Sequence, residues 1–397
     1  MIAQDDASPD PSRSPDCPHP ECPGCPLGRL PLGEQLEEKR RIVAGALARA
    51  LGRIVPVDPV VPSPNFRGHR AGAKLVFGRR GTRVGLGLFA RGSHRVVDIP
   101  RCPAHARPIA SAARALRRLV AQAPSLVWPG PGGQGWLRYA AFQEGRADGG
   151  LVVTLVTRTA EGEGPLRSLA ARLCEAEPAV RGVAWNVNPS PGNAVFGPEW
   201  RDLRGETRIA ERFLGLDLRA SPGSFLQANR ELADAAYAAL LEWLDPGASD
   251  ELLDLYAGIG ATALAAASRC RRVVGIEANP QAVVDARENA SRLGIPNAEF
   301  REGDAAAGAW ELVSEGFRPT GVALNPARKG ADPGVLEAIA ALEPDRIAYL
   351  SCNPETLARD LSFLTDRAPY ALGRVIPYDF LPGTEHVETL VFLERRR

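Results

Sequence analysis

The chain has 397 residues, long enough for two domains, and 45% of them are hydrophobic, enough to build real cores. Its formal net charge of +1 excludes no class of partner, because nine Arg or Lys stand against one acid, Asp98, between Phe66 and Arg101. No run reaches the about 20 apolar residues that span a membrane, and no apolar core follows a basic start. The sequence therefore reads as a cytoplasmic protein with no membrane partner. In that reducing compartment seven cysteines point to metal binding or catalysis rather than structural disulfides.

Residues 1–16, rich in Pro, Ser and Asp, are expected to be a disordered tail. Closely spaced cysteines follow (CPHPECPGCPLG), and then a helical pattern from Glu34 to Leu51. Residues 65–215 carry short apolar runs between Gly, Pro and Asn, the pattern of a β-rich zone. Helices are expected there at Pro108–Gln122 and Gly164–Ala176, placing Cys174 in a helical core. The nine basic residues fall in this zone with Phe66, Phe77 and Phe89 interleaved, a combination suited to phosphates and bases of RNA. From about Ser221 strands and helices alternate, which predicts a doubly wound parallel sheet. The expected division is a cysteine segment with the central zone at 17–215 and an α/β unit at 216–397.

The α/β unit opens with a buried-strand candidate, ELLDLY, then the turn AGIG and an alanine-rich helix that takes in Cys270. Gly258 and Gly260 let the backbone turn sharply and approach a ligand at the helix N-terminus. A second strand ends in Glu277, 19 residues after Gly258, where an acid can accept from ribose hydroxyls. Ala263 occupies the place of the third glycine of the dinucleotide fingerprint, which disfavours a pyrophosphate ligand. Asp254 and Asp304 favour S-adenosylmethionine, whose sulfonium needs no phosphate cradle.

Two later strands, GVALNP and DRIAYLSCNP, end in polar clusters, so Asn325 and Cys352 should face the crevice beyond the strand ends. The helix starting after Cys352, with Arg328 or Lys329 nearby, is expected to lower the thiol pKa. Carbon 5 of uracil cannot attack a sulfonium unaided. A thiolate added at carbon 6 turns the ring into an enolate that can, and a base must then remove the carbon 5 proton. Glu388, at the start of the last strand, is the candidate base; His386 could orient it or merely pack.

These residues recur in a known pattern. From Cys17 onward the chain resembles the bacterial RNA 5-methyluridine methyltransferases that carry a four-iron, four-sulfur cluster. The matching segments include CPGCPLGRLPLGEQLEEKRRIV, GSHRVVDIPRCP, NVNPSPGNAVFG, SPGSFLQAN, DLYAGIG, NPARKG, SCNPETLARD and LPGTEHVETL. The resemblance implies an α/β fold: a C-terminal Rossmann-like methyltransferase sheet, an N-terminal iron–sulfur segment and a β-rich central RNA-binding domain. It implies Cys352 as nucleophile and Glu388 as proton-abstracting base. Gln227, Tyr256, Gly258, Gly260, Glu277, Asp304 and Asn325 would contact the methyl donor. Cys17, Cys22, Cys25 and Cys102 would hold a [4Fe-4S] cluster. Spacing alone (C-x4-C-x2-C, with Cys102 beside Pro103) is equally compatible with a four-thiolate zinc site.

The chain departs from the family where Asn325 replaces a usual aspartate and where Ala261 replaces an asparagine of some relatives. The oligonucleotide-binding barrel that precedes the cysteines in many relatives is expected to have no counterpart in this sequence, where the first three cysteines come within 25 residues. Relatives of this kind mostly modify large-subunit (23S) ribosomal RNA, so a monomer acting on ribosomal RNA is expected ahead of one acting on transfer RNA. Two other readings compete. One is a catalytically impaired RNA-binding descendant, suggested by Asn325. The other is a small-molecule methyltransferase, which the basic central zone disfavours.

Overall fold

The computed structural model describes residues 17–130, 133–190, 192 and 194–396; the expected tail, 1–16, lies outside them. Helix α1 (Leu32–Leu51) is built on Val43, Ala46 and Leu47, a helical stripe that is fully buried, and ends at Gly52 in the left-handed conformation.

A first sheet follows from β1 (Gly72–Arg80), β2 (Arg83–Phe89) and β3 (Val96–Asp98). After helix α2 (Arg107–Val120) come β4 (Leu137–Glu144) and β5 (Leu151–Thr157). Helix α3 (Glu163–Ala176) leads to β6 (Val180–Val187) and β7 (Glu199–Gly205). The strand order is β3-β2-β1-β4-β5-β6-β7, antiparallel except where α3 makes the crossover from β5 to parallel β6. Ile109 and Leu116 of α2 and Leu166 and Leu173 of α3 bury one face of this sheet against Leu75, Phe142, Leu155 and Trp185. Both helices fall where the sequence predicts them. A two-stranded hairpin, β8 (Ile209–Phe213) and β9 (Leu216–Ala220), leads out of the sheet.

The second sheet alternates with helices: α4 (Arg230–Leu244), β10 (Glu251–Leu255), α5 (Ala261–Ala267), β11 (Arg272–Glu277), α6 (Pro280–Leu293), β12 (Ala298–Glu302) and α7 (Ala305–Ser314). It continues through β13 (Gly321–Leu324), α8 (Pro333–Leu342), β14 (Arg346–Ser351), α9 (Pro354–Asp366), β15 (Tyr370–Tyr378) and β16 (Glu388–Arg395). The order is β12-β11-β10-β13-β14-β16-β15, with the first five strands parallel and β16 antiparallel to both its neighbours. This is the expected Rossmann-like α/β sheet. Helices α4, α5 and α6 cover one face and α7, α8 and α9 the other, so central strands such as β13 are apolar throughout. Cys270 is buried just past the end of the short helix α5 rather than inside it. Among the described residues no helix is long and apolar enough to cross a membrane.

Helix α1 precedes the first sheet in the chain yet packs on the second, against α9 and β15. Its Lys39 lies fully buried and donates to Asp379, equally buried, and to the Leu381 carbonyl at 3.0 Å. Two charges taken out of water hold only as a pair, because removing one strands the other. Asp379→Ala should therefore destabilise the protein by about 3–5 kcal/mol. The double variant Lys39→Met, Asp379→Leu should recover most of that loss in a urea titration; equal losses in the two would show that a stranded Lys39 charge is not the source of it.

Candidate active site

The crevice lies beyond the carboxyl ends of the parallel strands, where the order reverses on either side of β10. Tyr256 follows β10 with φ +64°, a left-handed conformation that a tyrosine holds only under constraint from its surroundings. Burial pushes its hydroxyl up to about 12, against a hydrogen bond with the Asp332 backbone. Gly258 (φ +56°) and Gly260 (φ +81°) then turn the chain into α5. At Gly260 a Cβ would also stand 2.6 Å from the Phe300 ring, so only glycine fits.

Glu277, ending β11, accepts the Gly258 N–H at 3.0 Å on one carboxylate oxygen and the Asn279 N–H at 2.7 Å on the other. Each oxygen keeps a lone pair free for a ribose hydroxyl. Asp304, after β12, caps α7: its Oδ1 accepts from Ala306 and Ala307 at 2.9 and 3.1 Å. Asp254 is buried beneath the loop and accepts from Ala263 at 3.2 Å. Burial pushes its carboxyl up to about 7, the Ala263 N–H pulls it down, and the Glu277 charge adds to the rise. Tyr256, Gly258, Gly260, Glu277 and Asp304 thus share one rim, at the ends of three adjacent strands.

The other rim is formed by β13, β14 and β16. Cys352 directly follows β14 and Glu388 begins β16. Because the two strands run antiparallel with Ser351 opposite Thr389, thiol and carboxyl emerge side by side from one end of the sheet. Glu388 Oε2 is buried and has no hydrogen-bond partner among the described residues. Burial raises this carboxyl to about 7, while the Arg328 guanidinium draws it down.

The Cys352 thiol departs from expectation. It is raised, first by burial and then by the Glu388 charge, with Arg328 opposing. The start of α9 does not reverse this, because Asn353 caps that helix with its own side chain. Arg328 is held in place: its carbonyl accepts from Asn353 Nδ2 at 2.9 Å, and its guanidinium donates to His386 Nδ1 at 3.0 Å. His386 therefore meets Arg328 rather than orienting Glu388.

Asn325 lies on the same rim and donates from Nδ2 to the Tyr237 hydroxyl at 2.5 Å. Tyr237, on α4, also has Gln227 beside its hydroxyl, easing the rise that burial imposes, and feels the charges of Asp254 and Glu388. It thereby joins two sequence-predicted residues to the candidate base. The sequence offers no signal for it, since a tyrosine on the apolar stripe of α4 is indistinguishable there from core.

The four remaining predicted residues converge elsewhere. Cys22 and Cys25 sit in a tight turn, and Cys102 lies in the turn before α2. Burial raises the thiols of Cys22, Cys25 and Cys102, and each also feels the charge of its cysteine neighbours, Cys17 among them. Four thiols from two chain segments suit a four-thiolate metal or iron–sulfur group in kind and convergence. As placed, no three Cys, His, Asp or Glu among the described residues close around a metal position.

A family model described as tRNA (uracil-5-)-methyltransferase matches residues 203–396. A Geobacter sulfurreducens protein, named an uncharacterized RNA methyltransferase, is 38% identical over 94% of this chain and 76% of its own length. The chain belongs to the RNA (uracil-5-)-methyltransferase family. A Nostoc relative with the same kind of name is 34% identical, covering 94% of this chain and 81% of its own. Among solved structures, the chain is similar to the Pyrococcus abyssi tRNA (uracil-54, C5)-methyltransferase in complex with S-adenosyl-L-homocysteine. That match has a TM-score of 0.73 and 27% identity and covers 94% of this chain and 86% of that one. S-adenosylmethionine-dependent methylation of uracil carbon 5 in RNA is the activity of the family.

Removing the Tyr237 hydroxyl releases Gln227 and Asn325 together. Tyr237→Phe should lower kcat about tenfold, equivalent to about 1.4 kcal/mol, with an unchanged unfolding midpoint. Unaltered kcat in a steady-state methyl-transfer assay would dismiss this role.

Proposed function

We propose that the protein transfers a methyl group from S-adenosylmethionine to carbon 5 of a uridine in 23S ribosomal RNA. The observation that carries this reading is the buried carboxyl of Glu388 beside Cys352, whose Oε2 has no hydrogen-bond partner among the described residues. Gln227, Tyr256, Gly258, Gly260, Glu277, Asp304 and Asn325 form the donor side of the crevice. The donor supplies an electrophilic methyl group to an RNA base extruded from its stack.

Cys352 Sγ adds to carbon 6, and the electron pair of the 5,6 double bond moves onto the carbon 4 oxygen. Carbon 5 then bonds to the methyl carbon, and S-adenosylhomocysteine departs. Glu388 takes the proton from carbon 5, the 5,6 double bond re-forms, and Cys352 leaves as thiolate. A carboxyl lifted to about 7 is a far better proton acceptor than an ordinary glutamate. The nine basic residues between Phe66 and Arg101 belong to a central RNA-binding region, within a division at 17–215 and 216–397. Cys17, Cys22, Cys25 and Cys102 would hold a [4Fe-4S] cluster that ties residues 17–102 together and takes no part in methyl transfer. We place this activity in a cytoplasmic monomer.

A second reading, the same chemistry on transfer RNA, is favoured by the names of the family model and of the Pyrococcus enzyme. The deciding experiment supplies labelled S-adenosylmethionine with unmodified ribosomal or transfer RNA and analyses the product nucleosides. 5-Methyluridine in the 23S fraction supports the first reading, and in the transfer RNA fraction the second. Incorporation into neither, by donor-bound protein, would favour a binding-only descendant. Iron and sulfide assayed after anaerobic purification test the cluster; stoichiometric zinc in a colourless protein would replace it.

Cys352→Ala should abolish methyl transfer and leave RNA affinity intact. Glu388→Gln should instead accumulate a denaturation-resistant protein–RNA adduct, because the methylated adduct then lacks its base. Cys352 must be deprotonated before the irreversible methyl transfer, so log kcat/KM should climb with a slope of 1 through the neutral range, while kcat should fall below about pH 7 as Glu388, which acts after it, is protonated. A profile flat from pH 6 to 9 would contradict both assignments.

A further inference from the structure

A cavity of about 1050 Å³ lies away from the crevice, between the cysteine segment at Pro18–Glu21 and the outer strands of the first sheet. None of the crevice residues lines it. Its basic side chains come chiefly from β1 and β2, including Arg79, Arg80 and Arg83, and its aromatic ones include Phe89, Trp128 and Tyr139.

The cavity is short of acceptors. Arg138, only 4% exposed, lines it and is clamped by donation to the Asn188 and Ser190 carbonyls at 2.9 and 2.7 Å. Its guanidinium lies 5.3 Å from the Trp128 ring and 5.0 Å from that of Tyr139. Yet Arg138 Nε and Trp128 Nε1 are buried without a partner among the described residues. Both are obligate donors, and buried donors are almost always satisfied. What these two donors lack is an acceptor, which an ordered water or an oxygen of a bound group would supply.

The charges narrow it further. The two acids in the lining are already neutralised: Glu21 pairs with Arg95 at 2.7 Å and Asp98 with Arg117 at 2.8 Å. Arg80 and Arg83 are exposed and make no ion pair among the described residues. Phe89 is 38% exposed, an aromatic surface open to stacking. Free guanidinium groups, an exposed ring and buried donors together match phosphate, base face and base or phosphate oxygen.

Strand β1 connects this cavity to the crevice. At one end of the strand the Ala71 N–H donates to the Ala228 carbonyl at 2.8 Å, next to Gln227; at the other end stands Arg80. At about 3.3 Å per residue that path is about 30 Å.

We propose that the groove is a second RNA site, holding a single-stranded segment about 30 Å from the target uridine, with the cysteine segment as one wall. This rests on the reading of the protein as an RNA methyltransferase, and it assigns the Pro18–Glu21 stretch a direct part in gripping substrate.

The test uses a fluorescent 20-nucleotide oligouridylate and the full-length protein, with affinity read by anisotropy across a salt series. Arg80→Gln with Arg83→Gln should weaken binding at least tenfold and reduce the slope of log K against log salt by about 1.4, or 0.7 for each lost phosphate contact. Phe89→Ala should weaken it about tenfold with little change of slope. Donor binding and the unfolding midpoint should stay at wild-type values, since these side chains are on the surface.

Unchanged oligouridylate affinity in all these variants would overturn the proposal. Wild-type binding of polyglutamate that these variants abolish, with RNA binding intact, would overturn it in favour of an acidic protein partner. Methylation of RNA by the wild-type protein is scored separately. A methylating protein with an indifferent groove refutes this site alone, and a groove that binds RNA in a protein that does not methylate refutes the functional reading alone.

Discussion

The antiparallel insertion of β16 beside β14 is the constraint on which the site depends. In a purely parallel sheet every strand presents its carboxyl end to the crevice, so a residue that begins a strand lies at the far edge. Reversing β16 brings the start of that strand to the crevice instead, and Ser351 opposite Thr389 sets the register. A slip of one residue would turn Glu388 to the other face of the sheet. The same placement buries the carboxyl away from water, which raises its pKa toward neutrality, as the proposed role of base requires.

Burial has a cost at the neighbouring thiol. Cys352 shares the enclosed end of the sheet and the field of Glu388, so its thiol is raised where a solvent-exposed helix start would have lowered it. Arg328 is the counterweight to both groups, and it is fixed from two sides, by Asn353 on its carbonyl and by His386 on its guanidinium. The loop into β16 is anchored as firmly. Gly383 accepts from Leu27 at 2.9 Å and donates to Gln35 at 3.0 Å, and a Cβ on it would come within 3.3 Å of Cys25. The turn that bears the cysteines therefore packs directly on the loop that delivers Glu388. Arg95 and Glu21 tie the same turn to the first sheet. This places residues 17–28 where both sheets and the base-bearing loop meet.

Periodicity and glycine placement made the second sheet legible, because buried parallel strands and their helices leave long, distinct patterns. Strand-end residues such as Glu277, Asn325 and Cys352 were legible for the same reason: the end of an apolar run in such a sheet is a position in the crevice. The packing of α1 was not, since an amphipathic helix announces a buried face but not the surface it will meet; the core it shares with α9 and the Lys39–Asp379 pair, 340 positions apart, reveal it. Tyr237 stayed hidden because its ring packs as core while its hydroxyl alone serves the site. The thiol of Cys352 was misjudged because chain neighbours, Arg328 and the start of α9, are visible in a sequence, whereas depth of burial is not.

Asn325 acquires a physical sense from the same geometry. A carboxylate there would put a second acid against the Tyr237 hydroxyl, which already feels the charges of Asp254 and Glu388. Like charges in a dry pocket raise one another's pKa, so a further acid on this rim would add to the rise at Glu388. The amide keeps the hydrogen bond to Tyr237 and adds no charge. With Cys352 and Glu388 both in place on the adjoining strands, the substitution alters the electrostatics of the rim while leaving the proposed nucleophile and base side by side.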